Sequence, residues 1–84
     1  MKYFVYLILS KNNQKLISYV GYTNNLKKRL EEHNTSKGAK FTRGRKWIMA
    51  YSVIYNSKSK AMREEYKLKK NYKLRNKIKS NFYK

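Results

Sequence analysis

The sequence predicts an α+β fold in which a three-stranded antiparallel sheet is flanked by helices, in the order strand, strand, helix, strand, helix, helix. Two runs rich in Tyr, Val, Leu and Ile follow one another near the N-terminus, which is typical of a β-hairpin. A third run alternates between two faces, and segments with helical periodicity follow it. The 84 residues contain no internal repeat and no Pro/Ser-rich linker, so we expect one domain over residues 1–84.

The N-terminal half contains the predicted hairpin and one helix. Residues 3–9 and 16–23 are the predicted strands, and the polar residues between them are expected to form a long turn. Asn24 or Asn25 can cap the helix, because a side-chain oxygen there accepts a hydrogen bond from a free backbone N–H. We expect this helix to end near Asn34.

A basic loop and a third strand are predicted next. Residues 35–46 carry two Gly and five basic residues and show no apolar periodicity, which indicates a loop. Residues 47–55 alternate as a strand does. One face of this strand is expected to carry Trp47, Met49, Tyr51, Val53 and Tyr55, and the other Ile48, Ala50, Ser52 and Ile54.

Two further helices are predicted in the C-terminal part. Ser57 or Ser59 can cap a helix over residues 60–72, and a shorter helix is expected over residues 74–82. At about 100° per residue, one stripe of the first of these helices is shared by Ala61, Glu65, Leu68 and Tyr72.

The four acids of the chain limit any chemistry that needs a carboxylate. Glu31 and Glu32 are expected on a solvated helix face, and Glu64 among basic neighbours. Glu65 lies in an apolar stripe, where a carboxylate costs free energy unless a cation or hydrogen bonds compensate it. Glu65 is therefore a candidate ligand for a hard metal ion, and a salt bridge to a nearby Lys or Arg is the alternative.

The charge of the chain points to a polyanionic partner. Twenty-two Lys and Arg against four acids give a net charge of +18, and binding of nucleic acid would offset this self-repulsion. A solvated basic surface and attraction to anionic lipid are the alternatives. The absence of Cys excludes disulfides and thiol chemistry, and a cytoplasmic location is expected. The longest apolar run, residues 3–9, is too short to span a bilayer, so no membrane partner is expected.

Several other side chains have both a functional and a structural interpretation. Arg29 and His33 lie four apart in the first helix and could reach one phosphate, or form an ordinary surface pair. Tyr6 and Tyr19 either pack across the hairpin or activate water through a phenol. A phosphate clamp in the basic loop would use Lys37, Lys40, Arg43 and Arg45, and a disordered basic loop is the alternative.

These residues resemble a known family in their order. Phe4-Val5-Tyr6 followed by Tyr19-Val20-Gly21 resembles the paired strand motifs of GIY-YIG nucleases, with Phe4 where the family has Gly. Arg29-Leu30-x-x-His33-Asn34 resembles the family's Arg and His helix, and residues 38–45 resemble the basic loop of small standalone members. Ala61 with Glu65 resembles the helix that carries the family's metal-binding Glu. The resemblance runs from about residue 3 to residue 75, nearly the whole chain.

The resemblance implies an endonuclease that hydrolyses phosphodiester bonds. Tyr6 and Tyr19 would face the scissile phosphate, Arg29 would stabilise its charge, and Glu65 would bind one divalent ion, Mg²⁺ or Mn²⁺. His33 would help a Tyr to activate water, and which Tyr acts as the base stays open.

The resemblance also implies a partner and a role. DNA is favoured over RNA, with selectivity for structure or weak selectivity for sequence, in repair or recombination. Because a domain of this size leaves little surface for reading bases, a protein partner is expected to direct it to its substrate. The alternative is a non-catalytic nucleic-acid-binding module that retains the fold and the basic loop.

Overall fold

The computed structural model of the chain describes residues 1–35 and 37–82, and within them it has the predicted α+β architecture. The elements are β1 (Tyr3–Asn12), β2 (Lys15–Thr23), α1 (Leu26–Asn34), a 3₁₀ turn (Lys40–Thr42), β3 (Ile48–Tyr55), α2 (Lys58–Lys70) and α3 (Tyr72–Phe82). Their order confirms the predicted succession of strands and helices. No helix in the described part of the chain is long and apolar enough to cross a bilayer.

The hairpin is tighter than the sequence suggested. β1 and β2 stay paired as far as Asn12 and Lys15, so only Asn13 and Gln14 form the turn. Both have positive φ, 51° and 72°, as a two-residue hairpin turn that matches the strand twist requires. The expected long turn is therefore wrong, because backbone pairing continues through polar residues and lengthens both strands instead.

The sheet has the order β2-β1-β3, with all strands antiparallel and β1 in the centre. The central strand is covered on both faces, which explains its continuous run of apolar residues. On one face α2 and α3 cover a cluster made of Val5, Leu7, Leu9, Val20, Ala61, Leu68 and Ile78. On the other face α1 contributes Leu26 and Leu30 to a cluster with Tyr6, Ile8 and Trp47.

The third strand contains a β-bulge that the alternation did not reveal. Leu7 pairs with Tyr51, but the next residue, Ile8, pairs with Met49, so Ala50 is the extra residue. Met49 consequently packs in the cluster beneath α1, whereas Tyr51 packs in the cluster beneath α2 and α3. The prediction of one continuous apolar face on this strand is wrong, because the bulge exchanges the two faces.

Side-chain caps set the helix boundaries. Asn25 caps α1 and Ser57 caps α2, each accepting a hydrogen bond from the backbone N–H three residues later. Asn71 separates α2 from α3 and caps α3 in the same way, at 3.1 Å. The second helix therefore ends before Tyr72, which begins α3 and is exposed, so it does not belong to the predicted apolar stripe.

Candidate active site

An open cleft lies where β1, β2, α1 and α2 meet. Four of the five predicted catalytic residues line it, namely Tyr6, Tyr19, Arg29 and Glu65. The fifth, His33, is fully buried beside the cleft and contacts Tyr6. The fold thus brings together side chains that are as many as 59 positions apart in the sequence, from residue 6 to residue 65.

A chain of hydrogen bonds runs inward from the cleft. The Tyr6 hydroxyl lies 2.7 Å from His33 Nε2, and His33 Nδ1 lies 2.9 Å from Thr42 Oγ1. Thr42 donates its single hydroxyl proton to the carbonyl of Ala39 at 2.7 Å, so its oxygen accepts from Nδ1–H of the imidazole. Neutral His33 is then left with an unprotonated Nε2, which accepts the hydrogen bond of the Tyr6 phenol.

The surroundings keep both members of this pair uncharged near neutral pH. Burial lowers the pKa of His33 below 6.5, and the positive charge of Arg29 acts in the same direction. Burial raises the pKa of Tyr6 to about 12, although the hydrogen bond and charge of Arg29 oppose that rise. The effect of burial on the Tyr6 pKa thus outweighs that of Arg29, which would favour a phenolate, so Tyr6 is a neutral phenol before substrate binds.

Two glycines allow the close approach of these groups. Gly21 lies opposite Tyr6 in the β1–β2 ladder, and a Cβ at this position would lie 2.5 Å from the Tyr6 hydroxyl oxygen. A Cβ at Gly38 would lie 2.5 Å from His33 Nδ1. The second glycine therefore makes room for the imidazole, a role that the sequence did not suggest.

Arg29 is held in place by Glu32 of the same helix. Its Nη1 donates to Glu32 Oε1 at 3.1 Å, and both side chains are about one-third exposed. Glu32 keeps the expected solvent exposure, but it lines the cleft and pairs with Arg29, three residues earlier on the same helix, instead of with Lys28. The guanidinium has five N–H donors and therefore retains some for an incoming phosphate.

Glu65 forms a salt bridge and also lines the cleft, where it could bind a metal ion. It lines the cleft with its side chain 17% exposed, and it accepts an ion pair from Lys69 Nζ at 3.5 Å. The described residues contain no group of three or more His or acidic side chains that could enclose a metal ion. A single carboxylate still suits Mg²⁺, which takes one or two carboxylates and completes its shell with substrate oxygens and water.

The predicted phosphate clamp lies outside the cleft. Lys37, Lys40 and Arg43 are exposed, and the guanidinium carbon of Arg45 lies 5.7 Å from the centre of the Phe41 ring. None of these four basic residues is among the side chains that line the cleft. They occupy the neighbouring loop, which reaches the site through its contact with His33.

The loop is more ordered than its composition indicates. Its 3₁₀ turn ends in the buried Thr42, whose carbonyl accepts a 3.0 Å hydrogen bond from the Trp47 indole. Asn34 in turn donates to the Trp47 carbonyl at 3.0 Å and accepts from its backbone N–H. Thr42 and Asn34 lie in segments that resemble the family, but neither was predicted as a site residue, because the sequence does not show which groups their side chains would bond.

Comparisons with known proteins agree with this geometry. Residues 2–79 match the sequence profile of the GIY-YIG catalytic domain, and the chain therefore belongs to this nuclease family, whose members act on nucleic acids and generally use a divalent metal ion. Within it, the chain is similar to UPF0213 proteins, a small GIY-YIG family.

Two relatives and one solved structure illustrate the similarity. UPF0213 protein SH2523 of Staphylococcus haemolyticus is 42% identical over 69 residues, which cover 81% of this chain and 80% of that protein. UPF0213 protein OB0043 of Oceanobacillus iheyensis is 49% identical over 69 residues, covering 81% and 77%. The solution NMR structure of UPF0213 protein BH0048 from Bacillus halodurans superposes with a TM-score of 0.50 at 34% identity, over 95% of this chain and 84% of that one.

Proposed function

We propose that this protein is a divalent-metal-dependent endonuclease that hydrolyses phosphodiester bonds by a water molecule activated at Tyr6. The observation that carries the proposal is the 2.7 Å contact between the Tyr6 hydroxyl and the unprotonated His33 Nε2, at a cleft that also holds Arg29 and Glu65. A base, a phosphate-binding cation and a hard metal ligand together suit metal-assisted phosphodiester hydrolysis.

The proton path accounts for a tyrosine that is neutral at rest. A water molecule beside Tyr6 gives one proton to the phenol oxygen while the phenol gives its own proton to His33 Nε2. The resulting hydroxide attacks phosphorus as the P–O3′ bond breaks, and the leaving 3′ oxygen takes a proton from solvent, while His33 becomes an imidazolium that keeps its Nδ1–H bond to Thr42. No free phenolate is needed, so a pKa of about 12 is compatible with this step.

This path favours Tyr6 over Tyr19 as the base. Tyr19 meets His33 through its ring, edge to face, with the centroids 5.1 Å apart. Tyr6 meets the same imidazole through its hydroxyl, which is the atom that must exchange protons. Tyr19 then serves to position the imidazole and to line the substrate cleft.

The remaining cleft residues stabilise the negative charge of the scissile phosphate. Arg29 faces the position of the scissile phosphate and stabilises the charge that develops on its oxygens. Glu65 would hold the divalent ion, Mg²⁺ or Mn²⁺, which when bound supplies Lewis-acid stabilisation of the same charge. Lys28 and Lys58 also line the cleft and add to its positive potential.

The substrate is expected to be bound mainly through its backbone. A net charge of +18 on 84 residues favours phosphate contacts, which carry no sequence information. We therefore infer structure-selective or weakly sequence-specific cleavage, with a partner protein for targeting and a cytoplasmic role in DNA repair or recombination. DNA is favoured over RNA because of the family resemblance.

The test is a cleavage panel of single-stranded, duplex, flapped and branched DNA and of structured RNA, with Mg²⁺ or with chelator. Glu65→Gln is expected to slow metal-dependent cleavage at least about 100-fold, the scale of removing one group that stabilises the transition state. Glu64→Gln is the matched control, since Glu64 is next to Glu65 in the sequence but its carboxylate pairs with Lys67 and does not line the cleft. Equal cleavage by native protein and Glu65→Gln would contradict the proposal.

A non-catalytic nucleic-acid-binding module is the second candidate. It is favoured by Phe4, which replaces the glycine of the first motif two residues before Tyr6 and pairs with Thr23 and Ile54 in the sheet. The same panel separates the two functions. Tight binding without metal-dependent cleavage of any substrate supports the module, and cleavage that is abolished in Glu65→Gln supports the nuclease.

A further inference from the structure

An exposed aromatic ring stands at the edge of the candidate site. Phe41 is 53% exposed, although Phe is an apolar residue that usually packs inside. Its ring stacks on Tyr19, with centroids 6.2 Å apart and planes at 21°, and Tyr19 itself lines the cleft. We propose that Phe41 is a stacking platform for one unpaired nucleobase of a strand whose backbone enters the proposed cleavage site.

Phe41 is not needed to fill the core beneath it. The buried cluster on this side of the sheet consists of Tyr6, Ile8 and Trp47, and Phe41 is not among the side chains that complete it. The ring lies 6.4 Å from that of Trp47, centre to centre, and leaves about half of its own surface to solvent. Its exposure therefore has no structural explanation in this cluster.

The platform is held before any ligand arrives. Phe41 is the middle residue of the 3₁₀ turn, and the next residue, Thr42, is fully buried and bonded to His33, Ala39 and the Trp47 indole. A ring fixed in this way loses little conformational entropy on binding. The same hydrogen bonds fix its place relative to Tyr6 and His33, so the stacked base would belong to a nucleotide close to the scissile phosphate.

The charge around the ring selects an anionic occupant. Lys40 and Arg43 flank it in sequence, and no acid occurs between residues 33 and 63. The guanidinium of Arg45 already lies over the ring, 5.7 Å from its centre, which shows that this ring can receive a flat group. Arg45 can stack on the far side of a base or pair with its phosphate, since guanidinium planes do both.

These properties together define the ligand. A flat aromatic group attached to a phosphate backbone is a nucleotide, and its face is free only where the base is neither paired nor stacked in a duplex. The proposal rests on the proposed function for the identity of the neighbouring site, and it adds that the substrate has an unpaired base there, as single strands, flaps and junctions have.

The test measures binding in the presence of chelator, so that it does not depend on cleavage. Native protein, Phe41→Ala and Phe41→Trp are titrated with a single-stranded oligonucleotide, as DNA and as RNA, and with a blunt duplex of the same sequence at the same salt concentration. Met62→Ala is the matched control, because Met62 is 47% exposed on α2 and remote from the loop in the sequence.

Phe41→Ala is expected to weaken binding to the single strand by about 5- to 160-fold, the range that corresponds to the loss of one stacking ring, with duplex affinity nearly unchanged. Phe41→Trp is expected to restore binding, and Met62→Ala to leave it unchanged. The DNA and RNA arms show which sugar the site accepts, and weaker binding in either arm supports the platform.

Two results would overturn the inference: an unchanged affinity of Phe41→Ala for both single strands, or an equal loss of affinity for single strand and duplex. The second result would assign Phe41 to the general surface for phosphate or protein contacts. Failure of the proposed function is distinguishable, because it would leave no cleavage by native protein while the selective effect of Phe41→Ala on single-strand binding persisted.

Discussion

Nε2 of His33 accepts a 2.7 Å hydrogen bond from the Tyr6 hydroxyl, and the opposite nitrogen of the same ring is fixed by Thr42. This arrangement orients a buried neutral imidazole towards the one tyrosine hydroxyl that, among the described residues, reaches both it and the cleft. A proton acceptor and its tautomer are thereby determined by the fold, before substrate or metal binds.

The pH dependence of cleavage follows from the pKa of His33. Burial and the charge of Arg29 lower that pKa below 6.5 against the opposing charge of Glu32, while the Tyr6 and Tyr19 rings pack against the imidazole. His33 must be neutral to accept a proton, so kcat/KM is expected to be constant above about pH 6.5 and to fall as pH drops through the lowered pKa. A pH–rate profile with Mg²⁺ at saturation measures this. Activity that increases on acidification below that range would contradict the assigned role.

Thr42 is expected to position His33. Thr42→Val keeps the shape and removes the hydroxyl, which leaves Nδ1–H buried without its acceptor and no longer fixes the tautomer. We expect kcat to fall about 10- to 100-fold with little change in KM, and Thr42→Ser to restore much of the activity. Steady-state kinetics with a ¹⁵N spectrum of the imidazole checks both. An equal fall in the Ser and Val variants would mean that the methyl group matters more than the hydroxyl.

Gly21→Ala is expected to displace the Tyr6 side chain. The added Cβ would lie 2.5 Å from the hydroxyl oxygen, and relieving that overlap should cost about 1–3 kcal/mol of unfolding free energy. Denaturant unfolding of the native protein, Gly21→Ala, Tyr6→Ala and the double variant measures the coupling. With the ring removed, the added methyl should cost much less. Additive effects of the two substitutions would show that the glycine serves some other purpose.

The basic loop is expected to contribute to phosphate binding. Replacing Lys37, Lys40 or Arg43 by Ala should lower the slope of log affinity against log salt by about one for each phosphate that is no longer neutralised, without changing sequence preference. Lys73→Ala is the control, since it lies on α3, which covers the opposite face of the sheet. Affinity is measured by salt titration of a labelled oligonucleotide. An unchanged slope in all three loop variants would remove the loop from the interface.

The sequence predicted the order of elements well because hydrophobic periodicity records burial. It did not predict the bulge at Ala50, because one extra residue leaves the composition of the strand apolar on both sides. Nor did it predict the tight turn at Asn13 and Gln14, since backbone pairing does not depend on apolar side chains.

The candidate site was also predicted only in part. Tyr6, Tyr19, Arg29 and Glu65 were singled out by their motifs, and the fold brings them into one cleft. The contacts of Glu32 and Thr42 were not predicted. The i, i+3 spacing permits the salt bridge of Glu32 to Arg29, but the basic neighbours of Glu32 on the helix offered it other partners. The hydrogen bond of Thr42 to His33 depends on three-dimensional proximity that no local pattern encodes.

The measurement that tests the account most directly is the single-turnover cleavage rate of Tyr6→Phe beside that of Tyr19→Phe, on a cleaved substrate at saturating protein and Mg²⁺. Each substitution removes one hydroxyl and retains the ring. Tyr6→Phe is expected to be slower by about 100-fold or more, the contribution of a general base, and Tyr19→Phe to be slowed clearly less. Cleavage by Tyr6→Phe at the native rate, or a larger decrease in Tyr19→Phe, would contradict the assignment of Tyr6 and His33 as the groups that activate water.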